Sequence, residues 1–178
     1  KPAKQNPYPP FITSTLQQEG VRKLRMSSQQ VMRNAQKLYE EGYITYMRTD
    51  SVNLSSEAIN GSRNAIKSLF GAEYLPETPP IYKSKVKNAQ EAHEAIRPAG
   101  DTFKNPKDIQ GELDGQEWKL YAMIWKRTLA SQMKSAKLLK TNVEISDGKA
   151  MFDAHGKVIE FPGFLKVYVE DIDDPKKE

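Results

Sequence analysis

The apolar residues of this 178-residue chain change their period once, near Ala136, and that change constrains the fold more than any other feature. Before it, apolar side chains recur at three- and four-residue steps, the spacing of a helix with one buried face. After it they alternate with polar neighbours, the spacing of a strand. Thr15 and Gln18 fit a capping box for a short first helix, which Gly20 would close. Ser27 and Gln30 repeat the box ahead of a second helix, striped by Val31, Met32, Ala35, Leu38 and Tyr39 and ended by Gly42. Residues 44–50 read as extended. Ser55 or Ser56 caps a third helix, with Ile59, Ser62, Ile66, Leu69 and Phe70 on one face. A Pro- and Lys-rich loop covers 75–88, and a short helix is expected through Gln90–Ile96, halted before Pro98. Asp114 and Glu117 then open a long helix striped by Trp118, Tyr121, Ala122, Trp125, Leu129 and Met133. Beyond Ala136, Val143 and Ile145 alternate, Asp147-Gly148 signals a hairpin turn, and Leu165, Val167 and Val169 alternate again.

The expected architecture is therefore α+β. Residues 1–12 read as a linker, 13–135 as a mainly helical domain, 136–172 as antiparallel strands and 173–178 as a disordered tail. The strands are too few to bury both faces alone, so they are expected to complete a sheet with chain from elsewhere in a larger protein. The Pro-rich start without Met fits an excised piece.

Composition narrows the chemistry. The chain has no cysteine, which removes disulfides, Cys-ligated zinc and a thiol nucleophile. No apolar run is long enough to span a membrane, the start lacks a signal-peptide core, and a cytoplasmic location fits. The net charge of +4 leans only mildly towards a polyanion. Locally the excess is sharper: Arg22, Lys23, Arg25, Arg33, Lys37 and Arg48 face only Glu40 and Glu41 between residues 22 and 48. Such a stretch can follow a DNA backbone, and a solvated helix face explains the same charges equally well.

Gly42-Tyr43-Ile44-Thr45-Tyr46-Met47-Arg48-Thr49-Asp50-Ser51 holds the densest chemical signal. In an extended segment Tyr46 and Arg48 share a face, roughly 7 Å apart along the chain. A tyrosine can be a covalent nucleophile, and an arginine fork can hold a non-bridging phosphate oxygen. A half-buried strand tyrosine beside a surface arginine would give the same pattern, so spacing alone decides nothing. In Gln90-Glu91-Ala92-His93-Glu94-Ala95-Ile96-Arg97-Pro98, the second histidine of a zinc-protease helix is missing. His93 is left as a proton shuttle, a phosphate donor or a structural helix-end residue. Trp118, Tyr121 and Trp125 read as core, not as a stacking platform.

Taken together, PFITSTLQQE (10–19), LYEEGYITYMRTDS (38–51), NLS (53–55), YLPE (74–77) and QEAHEAIRP (90–98) resemble the type IA family of DNA topoisomerases, in its bacterial branch. Topoisomerase III and reverse gyrase are the nearest rival members, and MRTDSVNLS with HEAIRP favours the bacterial branch. The resemblance implies a winged-helix or CAP-like tyrosine-bearing domain followed by strands of an arch that hinges it. It implies relaxation of negatively supercoiled DNA without ATP, through single-strand cleavage, a 5′-phosphotyrosyl bond, strand passage and religation. On the matching motifs the nucleophile falls on Tyr46, with Arg48 holding DNA and His93 close to the reaction. Arg22, Lys23, Arg25, Arg33 and Arg97 are further expected DNA contacts. The family's acidic, magnesium-binding domain has no counterpart here, so Mg2+ ligands are expected outside this chain and the chain alone is expected to be inactive. Single-stranded DNA and the remaining domains of the same polypeptide are the implied partners, in a monomer associated with the nucleoid. The contrasting possibility is a non-enzymatic winged-helix-like DNA-binding module.

Overall fold

The computed structural model describes residues 1–83, 93–146, 148 and 150–168. In chain order the elements are β1 (Pro2–Gln5), α1 (Thr13–Leu24), α2 (Ser28–Glu40), α3 (Ser56–Leu69), α4 (Gly115–Ser131), β2 (Ala136–Ser146) and β3 (Met151–Phe161). Short 3₁₀ turns follow α3 at Ala72–Tyr74 and β3 at Gly163–Lys166. The architecture is α+β, with helices gathered into one body and the strands in an antiparallel sheet of order β1-β2-β3.

The centre of the body is α4. Asp114 caps it by accepting from the N–H groups of Gln116 and Glu117, while Glu117 reaches back to the Asp114 N–H. The helix is buried nearly all round: Leu120, Tyr121, Ile124 and Leu129 are each at most 1% exposed. The other three helices pack against it. Two of its aromatics have their polar ends satisfied: Trp118 Nε1 donates to Pro106 O and the Tyr121 hydroxyl to Lys104 O, both at 2.7 Å. The Ser27–Gln30 capping box of α2 and the Ser55 cap of α3 form as their sequences predict.

Several expectations are corrected. The first helix runs through Gly20 to Leu24, because Gly20 is where α1 and α2 touch: an added Cβ would lie 2.5 Å from Val31 Cγ2. A glycine there permits close helix packing and does not end the helix. Thr15 lies inside α1, its hydroxyl accepting from the Ile12 N–H at 3.1 Å. Residues 2–5, read as linker, pair with β2 in the register Pro2↔Leu139 to Gln5↔Ala136. Of the helix expected at Gln90–Ile96, residues 90–92 lie outside the described residues, and 93–96 are not helical: Ile96 bridges to Phe11. Leu165 and Val167 belong to a 3₁₀ turn and its cap, not to a strand, and Val169 lies outside the described residues, as does the 173–178 tail. Tyr39 is 43% exposed and Leu69 46%, so neither belongs to the core stripe assigned to it.

Outside its root, the β2–β3 ribbon is exposed on both faces, including Val143, Ile145, Phe152 and Val158. After β3 the chain returns to the body, burying Phe164 and Tyr168. The Tyr168 hydroxyl donates to Glu19 of α1 at 2.8 Å, and burial together with that bond pushes its pKa upward. Buried Arg127 of α4 donates to Pro9 O at 2.7 Å and lies over the rings of Tyr8, Phe11 and Tyr168.

Candidate active site

Three irregular segments meet beside α1 and α2. The chain leaves α2 through Gly42, whose φ of +81° suits a residue without a side chain. Ile44 then pairs with Pro98, and the Thr45 N–H donates to Arg97 O at 2.9 Å. The Thr45 hydroxyl donates to Ala95 O at 2.8 Å and accepts from the Arg97 N–H at 3.0 Å. The 93–99 segment is fixed on its other side by bonds from Ile96 N–H to Phe11 O and from Ala95 N–H to Asn53 O. Ile44 and Met47 are driven into the core, at 2% and 4% exposure, while Tyr46, Arg48 and Asp50 face solvent. The expected extended run is thus a bent loop, anchored by its apolar members with Tyr46, Arg48 and Asp50 outside.

Arg48 and His93, distant in sequence, line one open cavity of about 580 Å³ together with Ile12, Thr13, Ser14, Thr49 and Asp50. Tyr46 is not in that lining. Its ring leans edge-on against Tyr39 near the end of α2, with centroids 5.2 Å apart. Tyr46 is 43% exposed. A larger cavity, about 1060 Å³, lies between the base of the sheet and residues 73–82 and holds none of the candidate site residues.

Tyr43, the other tyrosine of the motif, is occupied differently. Its hydroxyl donates to Glu112 at 2.6 Å. That bond, with lesser help from burial and the carboxylate charge, pushes its pKa up to about 12 and holds the phenol neutral.

The cations divide into committed and open groups. Arg22 and Lys23 pair with Glu19 at 2.7 and 3.6 Å, and Lys37 with Glu117 at 2.5 Å. Arg25 and Arg33 are exposed. Arg97, expected among the DNA contacts, is instead only 5% exposed: its guanidinium donates to Glu94 and to the carbonyls of Pro98 and Gly100. Glu94 also accepts from the Ser55 N–H at 2.7 Å. Burial pushes the Glu94 carboxyl up, but the bonds from Ser55 and Arg97 outweigh it and hold the pKa below the ordinary carboxylate value. The pair braces the segment bearing His93 against the start of α3.

Sequence reasoning missed Tyr39, the Glu94–Arg97 brace and Thr13. Thr13 lies within PFITST, but nothing in that run ties it to residues 47–49. Among the described residues no three His, Asp or Glu side chains converge as a metal site, and the single carboxylate lining the Arg48 cavity, Asp50, is a poor donor set for a divalent cation.

Comparison with known proteins shows the family. The family model described as DNA topoisomerase matches residues 1–178. DNA topoisomerase 1 of Streptomyces coelicolor is 55% identical over 183 aligned residues, covering 100% of this chain and 19% of that protein. DNA topoisomerase 1 of Mycobacterium leprae is 54% identical, covering 94% of this chain and 18% of the relative, and that of Synechococcus elongatus is 54% identical, covering 98% and 20%. The chain thus spans about a fifth of the length of these relatives. The full-length topoisomerase I structure from Thermotoga maritima superposes with a TM-score of 0.79 at 40% identity, over 94% of this chain and 28% of that one. A family match that runs from the first residue to the last makes this chain a member of the DNA topoisomerase family.

Proposed function

We propose that this chain supplies the nucleophile of a type IA DNA topoisomerase that relaxes negatively supercoiled DNA without ATP. The observation that carries the reading is the exposed Tyr46, held on the same braced loop that sets Arg48 beside His93. In the cleavage step the Tyr46 Oη bonds to a DNA phosphorus and its proton leaves. The bond from phosphorus to the 3′ oxygen breaks, and that oxygen leaves as a hydroxyl after taking up a proton. The 5′ phosphate stays on the tyrosine as a phosphodiester. Religation runs the same exchange backwards, which conserves the ester energy. Arg48 holds a non-bridging oxygen in its fork and stabilises charge gathering at phosphorus. His93, lining the same cavity, contacts the phosphate or moves a proton. Exposed Arg25 and Arg33 follow the backbone of the single strand.

The chain contributes one wall of this site. Phosphoryl transfer needs positioning and charge stabilisation from several sides, and the Arg48 cavity offers no cluster suited to Mg2+. The metal-binding groups belong to other domains of the parent polypeptide, which acts as a cytoplasmic, nucleoid-associated monomer. The isolated chain binds DNA weakly at low salt and cleaves nothing.

The experiment is covalent trapping. The parent protein is incubated with labelled single-stranded DNA and magnesium, denatured and resolved. Tyr46→Phe removes one oxygen and is expected to abolish the adduct while leaving DNA binding intact; Tyr43→Phe is expected to keep it. Adducts that persist in Tyr46→Phe overturn the assignment. An adduct formed by the isolated chain, dependent on Tyr46, overturns the division of labour. A parent protein that binds DNA but never forms an adduct is a binding module.

A further inference from the structure

The loop that carries Arg48 is clasped from both ends by one side chain of another element. Thr13 is the first residue of α1. Its hydroxyl lies 2.8 Å from Met47 O and 3.1 Å from Thr49 O, and it accepts from the Thr49 N–H at 2.9 Å. The Thr13 N–H donates to Thr49 O at 3.0 Å. One hydroxyl therefore joins the carbonyl before Arg48 to the amide after it, and the backbone of the same residue holds the next carbonyl. Met47 is buried, so the turn at Arg48 is fixed from below by packing and from the side by Thr13. Thr13 lines the Arg48–His93 cavity. Because Phe11, two residues earlier, accepts from the Ile96 N–H, the start of α1 also fixes the segment bearing His93.

We propose that Thr13 is a positioning residue for Arg48: its hydroxyl sets the direction of the Arg48 fork relative to Tyr46 and so governs cleavage without contacting the reacting phosphate. The inference rests on the proposed roles of Tyr46 and Arg48. Serine can make the same bonds. Valine matches the shape of threonine but can neither accept from Thr49 nor donate to Met47. Misplacing a catalytic group by about 1 Å costs on the order of 100-fold in rate.

The test uses the whole parent protein and reads adduct formation, single-stranded DNA affinity and thermal unfolding together. Thr13→Val is expected to slow cleavage by about 10- to 100-fold while DNA affinity stays within about threefold. Thr13→Ser is expected to restore cleavage to within about threefold of the parent. If Thr13→Val fails to fold, Thr13→Ala makes the same comparison with serine. A double-mutant cycle separates positioning from general destabilisation: on an Arg48→Lys background, where the fork is already lost, removing the Thr13 hydroxyl is expected to cost little more. Additive losses, a serine variant as slow as the valine one, or a valine variant that cleaves at the parent rate overturns the inference. Tyr46→Phe run in parallel distinguishes the two failures. Adducts that persist without Tyr46 bring down the reading of the site and this inference with it. Adducts that vanish with Tyr46 but ignore Thr13→Val overturn this inference alone.

Discussion

The rings of Tyr39 and Tyr46 meet edge to face with their centres 5.2 Å apart, and both are 43% open to solvent. Such a contact contributes about 0.5–1.5 kcal/mol beyond simple burial. Losing it in Tyr39→Ala frees the Tyr46 ring, and the rate of covalent adduct formation is expected to fall by up to about tenfold. Tyr39→Phe keeps the ring and is expected to stay near the parent rate. Equal rates in all three proteins would show that the ring contact orients nothing.

Arg48 and Arg97 are expected to separate cleanly under substitution. Arg97→Ala removes a buried guanidinium and leaves Glu94 and two carbonyls without their donor, a loss of about 2–4 kcal/mol in unfolding free energy. Arg48→Ala, on an exposed loop position, is expected to change stability by less than about 0.5 kcal/mol. Cleavage should show the reverse ranking once folded protein is compared. Denaturant unfolding and adduct trapping on the same preparations check both halves.

Glu94 gives the fold an acid-sensitive component. Its folded pKa lies below its ordinary value of 4.5, so the carboxylate stabilises the fold above that value, and the contribution is lost as pH falls through the depressed folded pKa. Glu94→Gln removes the charge at every pH. The parent is expected to melt higher than the variant near neutrality, with the difference closing as pH falls through the depressed folded pKa. Melting temperatures that stay equally far apart in acid would contradict the linkage.

Gly20→Ala places a methyl 2.5 Å from Val31 Cγ2, so the Val31 side chain must turn or α1 and α2 must move apart. A cost of about 1–3 kcal/mol is expected, and Val31→Ala on the same chain should recover part of it by opening the space. Calorimetry of the single and double variants tests the contact. Because α1 also carries Thr13, cleavage is expected to weaken alongside stability in the single variant.

Local signals carried much of the helical body. Capping boxes at Ser27–Gln30 and Asp114–Glu117 marked the starts of α2 and α4, since the bonds that close a helix end lie within four residues of one another. Gly20 misled because a helix-stopping glycine and a helix-packing glycine are the same letter, and only Val31, on another helix, decides between them. The chain at 93–96 looked helical by composition but is drawn straight by Phe11, Thr45 and Asn53, all more than thirty positions away. The candidate site was legible as two motifs. That Arg48 and His93 share a cavity and that Thr13 spans the loop depend on contacts between distant segments, which periodicity does not encode. Arg97 is turned inward by Glu94, Pro98 and Gly100, within three positions of it, through an irregular segment that has no period to read.

The pairing of Gln5 with Ala136 has a consequence for engineering. The 130 residues between them form a closed excursion whose two feet stand side by side on facing strands, about 5 Å apart. Such an excursion can in principle be transplanted as a cassette into another antiparallel ribbon, because the host needs only two neighbouring strand ends. The latch made by Phe164 and Tyr168 would have to travel with it, since those side chains fill the wall of the body that the return strand reaches. A graft carrying residues 6–135 alone would arrive with a hole where that latch sits; one extended through Tyr168 would bring its own lid.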